Sequence, residues 1–345
     1  MIYVRNCWYM AAWSEELSYG GLLARTFLDE PVVLFRDAMG RPQALEDRCP
    51  HRLVPLSKGT LEEGIVRCIY HGLEFDGSGR CVRNPHGPIT ARATVRAYPL
   101  TERDGIIWIW PGEAQRADPS SVPDLSHMHR VPETAQSRGS MPTPCDYRLI
   151  IDNVADLSHV EYLHASSLGG GSFVQNRPAV TQQGDSVTIE LRSHGQSAPP
   201  VYDRFLRRPG LPVDLVNSVT WVPMGLLKLD ISVTPIDSPS DRLDTFNAHI
   251  VTPETATSSH YWYWLTRSYR QQDTEITRVR HQLMTQVFYD EDKPILDAQQ
   301  RLLGTRDIFE ANPMLLSNDT GVVRIRRAMQ KLLKQEQVGE IAHPT

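Results

Sequence analysis

Apolar and polar positions along the chain follow two regimes. Up to about Pro111, short apolar runs are cut by Gly, Pro and Asp. Val32-Val33-Leu34-Phe35 follows Pro31 and stops near Asp37 and Gly40, Ile65-Val66-Arg67-Cys68 follows Gly64, and Ile106 to Trp110 is halted by Pro111-Gly112. β-Branched and aromatic residues between turn signals predict a small antiparallel β domain. From Ala114 to about Pro144 the chain turns polar and Pro-rich, which predicts a linker. Beyond it, Asp146 to His164 has spaced apolar residues without Gly or Pro and reads as helix, whereas Ser186 to Arg192 alternates with period two, as a half-buried strand does. Leu226–Val233, Thr245–Val251 and Ser259–Thr266 are further strand candidates, and Thr274 to about Leu303 reads as a long helix interrupted near Pro294. Val322, Ile325, Met329, Leu332 and Leu333 share one face of a last helix, with Asp319 and Thr320 available as caps. The expected division is 1–113, a linker 114–144, and 145–345, with no internal repeats.

Composition narrows the function classes. Of 345 residues, 40% are hydrophobic and 22% charged, as in ordinary globular proteins, and the net charge of −5 comes without a Lys/Arg block of the kind that marks a nucleic-acid face. No signal-like segment opens the chain and no apolar run reaches a membrane-spanning length, so a cytoplasmic protein is expected. Thiols stay reduced there, so Cys7, Cys49, Cys68, Cys81 and Cys145 do not read as a disulfide framework.

Two of these cysteines have histidine neighbours. Cys49-Pro50-His51 and Cys68-Ile69-Tyr70-His71 form C-x-H and C-x-x-H, sixteen residues apart. A Rieske [2Fe–2S] centre needs two thiolates on one iron and two imidazoles on the other, and paired loops with one Cys and one His each meet that need. A Cys₂His₂ zinc site has the same ligand set, although zinc fingers usually place both Cys in one half and both His in the other. Cys7, Cys81 and Cys145 lack a ligand partner at useful spacing and read as structural. The loops Arg48-Cys49-Pro50-His51-Arg52 and Cys68-Ile69-Tyr70-His71-Gly72 resemble the cluster loops of Rieske oxygenases.

A second constellation lies in Asp152 to His164. His159 and His164 are five apart, about 140° around a straight α-helix, so they share a metal only if the helix bends, bulges or ends between them. The run N-x-x-D-x-x-H-x-x-x-x-H, from Asn153 to His164, resembles the iron-binding segment of that family. The resemblance implies that His159 and His164 are iron ligands, that Asp156 connects cluster and iron, and that Asn153 sits close to the iron. A 2-His-1-carboxylate triad needs one more acid. Tyr289-Asp290-Glu291-Asp292-Lys293-Pro294 offers three, and likeness to the Glu-Asp-Lys segment of the vanillate and dicamba demethylases points to Asp292. Asp290 and Glu291 are expected on a solvated helix face.

The likeness covers nearly the whole chain, including Arg5-Asn6-Cys7-Trp8-Tyr9, Cys145 to Asn153, His164-Ala165-Ser166-Ser167 and His249 to Thr255. It is to the vanillate O-demethylase oxygenase subgroup, which also contains dicamba monooxygenase and toluenesulfonate methyl-monooxygenase. It implies an α+β protein, an N-terminal antiparallel β Rieske domain followed by a helix-grip catalytic domain with an antiparallel sheet and long C-terminal helices. It further implies a homotrimer in which one subunit's cluster serves its neighbour's iron, and a separate NAD(P)H-linked reductase, with or without a ferredoxin. His249 matches a substrate-contacting position. Two other such positions fall on Leu229 and Leu283, where the dicamba enzyme has polar or aromatic groups, so a differently shaped, more apolar cavity is expected. Gly169-Gly170-Gly171 and Pro199 to Pro212 are expected to be loops over the site.

The reading is therefore a terminal oxygenase that uses O₂ to hydroxylate or O-demethylate a small methoxybenzoate-like acid. Ring dihydroxylation is the nearest alternative. A Rieske electron carrier, or a zinc-binding protein with an inert second domain, would use the cysteine loops but has no need of His159, His164 and Asp292 together.

Overall fold

Turn chemistry sets the strand ends in the first part of the chain. Glu63 and Gly64 both take positive φ (48° and 80°) between strands Thr60–Glu62 and Ile65–Arg67, the backbone a tight two-residue hairpin requires. At Gly64 a Cβ would come within 2.8 Å of the Ala38 backbone, so glycine is the residue that fits. The computed structural model describes residues 2–169 and 176–342, and these divide into two units, one running to Asp124 together with Thr252–Ala256, the other containing the rest.

The first unit holds β1 (Tyr9–Trp13), β2 (Leu23–Phe27), β3 (Glu30–Arg36), β4 (Pro42–Glu46), β5 (Thr60–Glu62), β6 (Ile65–Arg67), β7 (Glu74–Phe75), β8 (Cys81–Arg83), β9 (Leu100–Arg103) and β10 (Ile106–Ile109). They form three small sheets, β1-β10-β9, β2-β3-β4 and β5-β6-β7-β8. This is the expected antiparallel β domain. Cys49 and Cys68 belong to its apolar core with Phe35, Leu45, Val66 and Phe75.

The second unit is built on a seven-stranded antiparallel sheet of order β11-β17-β16-β15-β14-β13-β12. Its elements in chain order are β11 (Gln136–Ser140), α1 (Tyr147–Ala155), α2 (Val160–Leu163), β12 (Ala179–Gln183), β13 (Ser186–Gln196), α3 (Pro200–Asp203), β14 (Val213–Val222), β15 (Leu226–Pro235), β16 (Leu243–Thr255), β17 (Ser258–Arg267), α4 (Thr274–Val287), α5 (Lys293–Leu303) and α6 (Thr320–Ala342). In β14 Val213, Leu215, Asn217, Val219 and Trp221 are buried while the residues between them are half-exposed, the period-two pattern of a sheet with one covered face. The fold class is the expected α+β. No helix among the described residues is long and apolar enough to cross a membrane.

The structure departs from the expected boundaries in four places. The segment 114–144, expected to be a linker, carries short 3₁₀ turns and strand β11, which pairs with β17 from Gln136↔Thr266 to Ser140↔Trp262. The helix expected over Asp146–His164 ends at Ala155 and restarts at Val160. The interruption expected near Pro294 lies just before it, a π-turn over Phe288–Asp292, and Pro294 sits in the first turn of α5. The Pro199–Pro212 segment contains α3, and Val201 and Tyr202 are buried. Of the Gly169–Gly171 run, Gly170 and Gly171 lie outside the described residues.

Buried ions lock α1 to its neighbours. Arg326 of α6 donates to Asp152 of α1 at 2.8 Å and to Asp307 at 3.1 Å, and Arg148 of α1 reaches Asp146 and Asp307. Buried ion pairs fix geometry more dependably than they add stability. Here the geometry fixed is that of the helix carrying Asn153 and leading into Asp156.

Candidate functional site

The two cysteine loops have the same backbone. Cys49 N donates to Val54 O and Cys49 O accepts from Leu53 N, both at 2.9 Å. Cys68 N donates to Leu73 O at 2.8 Å and Cys68 O accepts from Gly72 N at 2.9 Å. Leu53 and Gly72 both take positive φ (57° and 72°), each four residues after its cysteine. Both thiols are thus held inside the core, while the histidines point outward, His51 exposed and His71 half-buried. Burial, with Cys68 beside it, pushes the Cys49 thiol up to about 11. The imidazoles meet each other, Nδ1 to Nδ1 at 3.1 Å.

This donor set can be tested against its two candidate occupants. Around one zinc, with bonds of about 2.0–2.3 Å, four ligand atoms lie within about 4 Å of one another. Among the described residues only His159, His164 and Asp292 form a group of three or more ligand atoms within 4.8 Å, and the Cys49, His51, Cys68 and His71 set does not. Two thiols in one place and two imidazole nitrogens in another fit a two-iron cluster with unlike ends, not a single ion.

The break after α1 creates the second centre. Asp156 takes an extended conformation (φ −83°, ψ 104°) as α1 ends, and its Oδ1 accepts from Ser158 N at 2.8 Å and Ser158 Oγ at 2.6 Å, closing the turn. His159 and His164 then bracket the short α2, and their Nε2 atoms lie 3.2 Å apart. Asp292 Oδ1 is 3.1 Å from His164 Nε2 and 3.6 Å from His159 Nε2.

Hydrogen bonds on the far side of each ring decide what these nitrogens can do. His159 Nδ1 lies 2.6 Å from the Asp156 carbonyl oxygen, which only accepts, so Nδ1 carries the proton. His164 Nδ1 lies 2.6 Å from Glu291 Oε2 and donates in the same way. In the neutral rings both Nε2 lone pairs therefore converge with the Asp292 oxygen on one point, the arrangement of a facial 2-His-1-carboxylate site. Burial pushes Asp292 up, but when the two imidazoles are protonated, hydrogen bonds from His159, His164 and Asn153, and the charge of His164, hold it well below the usual carboxylate range. Asn153 Nδ2 donates to Asp292 Oδ1 at 3.0 Å.

Glu291 is the residue that sequence reasoning missed. Asp290 is exposed, as expected of a solvated face, but Glu291 is turned inward onto His164 and also receives Ser167 Oγ at 3.2 Å. The π-turn makes this possible, because it lets two consecutive residues reach opposite edges of one imidazole. Glu291→Ala should therefore weaken iron binding about 10- to 100-fold, the usual cost of losing a ligand's hydrogen-bond partner. Titration with a competing Fe(II) chelator measures it, and the cluster spectrum should stay unchanged.

A cavity of about 130 Å³ adjoins His159, His164 and Asp292. Cavities near that size hold a benzene ring. Its wall is mostly apolar, including Leu157, Val160, Leu229, Leu283 and Phe288, which puts both Leu229 and Leu283 in the cavity wall. Pro199, Val201 and Tyr202 also line it, which places the start of the Pro199–Pro212 segment in the wall. His249 Nδ1 meets Tyr261 OH at 2.7 Å while its Nε2 is buried without a partner, and burial lowers its pKa to about 4, keeping it neutral. The wall is not uniformly apolar, however. Asn217, Asn247 and Arg280 line it too.

Comparison with known proteins agrees with this geometry. Residues 7–99 match the Rieske [2Fe-2S] domain, and residues 143–335 match the vanillate O-demethylase oxygenase C-terminal domain. The chain is 38% identical over 343 residues to the oxygenase component of dicamba O-demethylase from Stenotrophomonas maltophilia, covering 97% of this chain and 99% of that one. It is 36% identical over 324 residues to a vanillate O-demethylase oxygenase subunit from Pseudomonas sp. (strain ATCC 19151), covering 90% and 97%. The crystal structure of dicamba monooxygenase bound to 3,6-dichlorosalicylic acid superposes with a TM-score of 0.89 at 36% identity, covering 98% and 99% of the two chains. The apolar cavity beside the convergent His159, His164 and Asp292 side chains, the paired Cys/His loops and these matches lead to one conclusion: the chain belongs to the Rieske non-haem iron oxygenases of the vanillate O-demethylase group, enzymes that combine a [2Fe–2S] cluster with a mononuclear iron.

Proposed function

We propose that the chain is a terminal oxygenase component that O-demethylates a small methoxybenzoate-like acid with electrons from an NAD(P)H-linked reductase, directly or through a ferredoxin. The observation that carries the reading is the ring-sized, largely apolar cavity opening onto His159, His164 and Asp292. In this reading Cys49, Cys68, His51 and His71 hold the cluster, and His159, His164 and Asp292 hold the iron. Residues up to about 113 form the cluster domain and those from about 145 the catalytic domain. When bound, the two groups supply stored electrons and a place for O₂ beside the substrate. A cytoplasmic location, where thiols stay reduced, suits the two cluster thiolates.

The chain's own residues do the rest. Leu157, Leu229, Leu283 and Phe288 hold the ring by apolar contact and keep water out. His249, neutral and with its Nε2 unpartnered, is placed to hydrogen-bond a substrate oxygen. Asn153 holds Asp292 in its ligand orientation. Asp156 fixes the His159 ring through its carbonyl oxygen. Its carboxylate, half-exposed with Oδ2 4.0 Å from His159 Nδ1, is placed to accept from a cluster imidazole of a neighbouring copy in a homotrimer.

With a methoxy carbon at the reacting position, one atom of O₂ enters that carbon and the other leaves as water, two electrons and two protons being consumed. The resulting hemiacetal collapses to a phenol and formaldehyde. With reductase and NAD(P)H supplied, equimolar phenol and formaldehyde are expected from a methoxybenzoate panel. A cis-dihydrodiol product would assign the enzyme to ring dihydroxylation instead.

A further inference from the structure

Helix α4 carries a cation into the cavity wall. Arg280, Leu283, Met284 and Val287 fall at i, i+3, i+4 and i+7, one face of the helix, and all four line the cavity. Arg280 is 8% exposed. Its one hydrogen bond among the described residues is a long contact from Nη1 to Tyr269 OH, at 3.5 Å, and no carboxylate among them pairs with it. Arg267, the other buried arginine nearby, by contrast has both Nη atoms engaged by backbone carbonyls and Thr277. A guanidinium offers five donors, and a buried charge left unpaired costs several kcal/mol, so a group of this kind facing a binding cavity calls for an anion.

Its position says where that anion lies. Asp292 follows Arg280 by twelve residues on the same run of helix, about 18 Å along the axis at 1.5 Å per residue, and helical side chains lean toward the N-terminus, away from Asp292. The sheet agrees. Asn217 pairs with Ile231, which pairs with Thr245, and Thr245 Oγ1 meets Tyr202 OH at 3.1 Å. His249 stands four residues farther along β16, about 13 Å away at 3.3 Å per residue, and feels the charge of Asp292. Thus the cavity has a metal-ligand end, with His249, and a polar far end, with Arg280, Tyr202 and Asn217.

We infer that Arg280 anchors the carboxylate or sulfonate of the substrate at the end of the cavity remote from His159, His164 and Asp292. The enzyme would then select aromatics whose anionic group lies across the ring from the methyl group that is oxidised. This rests on the proposed demethylation of an aromatic acid and specifies it: para-substituted acids are favoured and ortho-substituted ones are not. It also accounts for apolar Leu229 and Leu283, because the polar anchor is supplied from another wall.

Equilibrium binding to the anaerobic holoenzyme tests the anchor without requiring turnover. The probes are para-methoxybenzoate, its neutral amide and ortho-methoxybenzoate. Wild-type protein should prefer the para acid to both others. Arg280→Gln should lower affinity for the para acid about 10- to 100-fold, the range for a hydrogen bond to a charged group, and abolish its preference over the amide. Arg280→Lys should restore part of that preference. An Arg280→Gln protein that keeps the preference, or that weakens acid and amide alike, overturns the anchor, as does a wild-type protein indifferent to charge. Loss of the preference in Arg280→Gln, with no formaldehyde formed by wild type, would keep the anchor and defeat the demethylation reading. Formaldehyde formed equally well from the para acid by both proteins would do the reverse.

Discussion

Asp292→Ala is expected to lose its mononuclear iron and at least about 1,000-fold in turnover, with the cluster's visible and EPR spectra intact. Among the described residues Asp292 is the one carboxylate whose oxygen lies within reach of both His159 Nε2 and His164 Nε2, at 3.6 and 3.1 Å, and it supplies the anionic charge of that group. Without it, two neutral imidazoles remain, too few ligands for a divalent ion in competition with water. Glu291 does not replace it, because its carboxylate is engaged on the opposite edge of His164. The cluster loops are built from the first unit's own core, so their spectrum reports independently that the chain has folded. Metal analysis and single-turnover kinetics measure the two losses. If Glu291→Ala strips the iron and Asp292→Ala does not, the roles of the two acids are exchanged.

Asp156→Asn is expected to keep both metal groups and to slow oxidation of the reduced cluster by O₂ and substrate at least about 100-fold, the upper range for losing a hydrogen-bonded group behind a ligand. The backbone carbonyl that orients His159 survives the substitution, and an asparagine side-chain oxygen can still receive Ser158 N and Oγ, so the turn between α1 and α2 should persist. What changes is the charge of a half-exposed carboxylate placed 4.0 Å from His159 Nδ1. Stopped-flow absorbance of the cluster in a single turnover reads the effect. Wild-type rates in Asp156→Asn, or full activity in a protein shown to be monomeric, would contradict a relay between subunits.

The cluster loops were legible because everything that shapes them is local. Each Cys, its His and the positive-φ residue four positions after the Cys lie within a few residues, and the spacing records the turn. That His159 and His164 do not sit on one straight helix was legible for a related reason: two ligands about 140° apart on such a helix cannot share an ion, and the structure breaks the helix before His159 and ends it at Leu163. Asp292 could be reached only through resemblance, since three neighbouring acids look alike in sequence. Glu291 was misjudged because on a regular helix it points about 100° away from Asp292. The π-turn that brings both to His164 is a tertiary outcome with no sequence signature of its own.

Long-range pairing hid the rest. Gln136–Ser140 reads as part of a polar, Pro-rich connector, yet it becomes an edge strand because β17, more than a hundred residues later, presents a matching ladder. Arg280 reads as one more polar residue on an amphipathic helix. Only the cavity that α4 shares with β14 to β16 shows that it belongs to the face of Leu283 and Val287 rather than to solvent. Asn217 and Asn247 are likewise regular members of alternating strands, and alternation says which residues share a face but not what that face covers.

The central claim is that one chain carries two unlike iron centres, and metal and sulfide analysis after anaerobic reconstitution tests it most directly. About three irons and two acid-labile sulfides per chain are expected, two irons from the cluster and one from the His159, His164 and Asp292 site. Two irons with no third would contradict the mononuclear centre, and stoichiometric zinc without sulfide would contradict both centres.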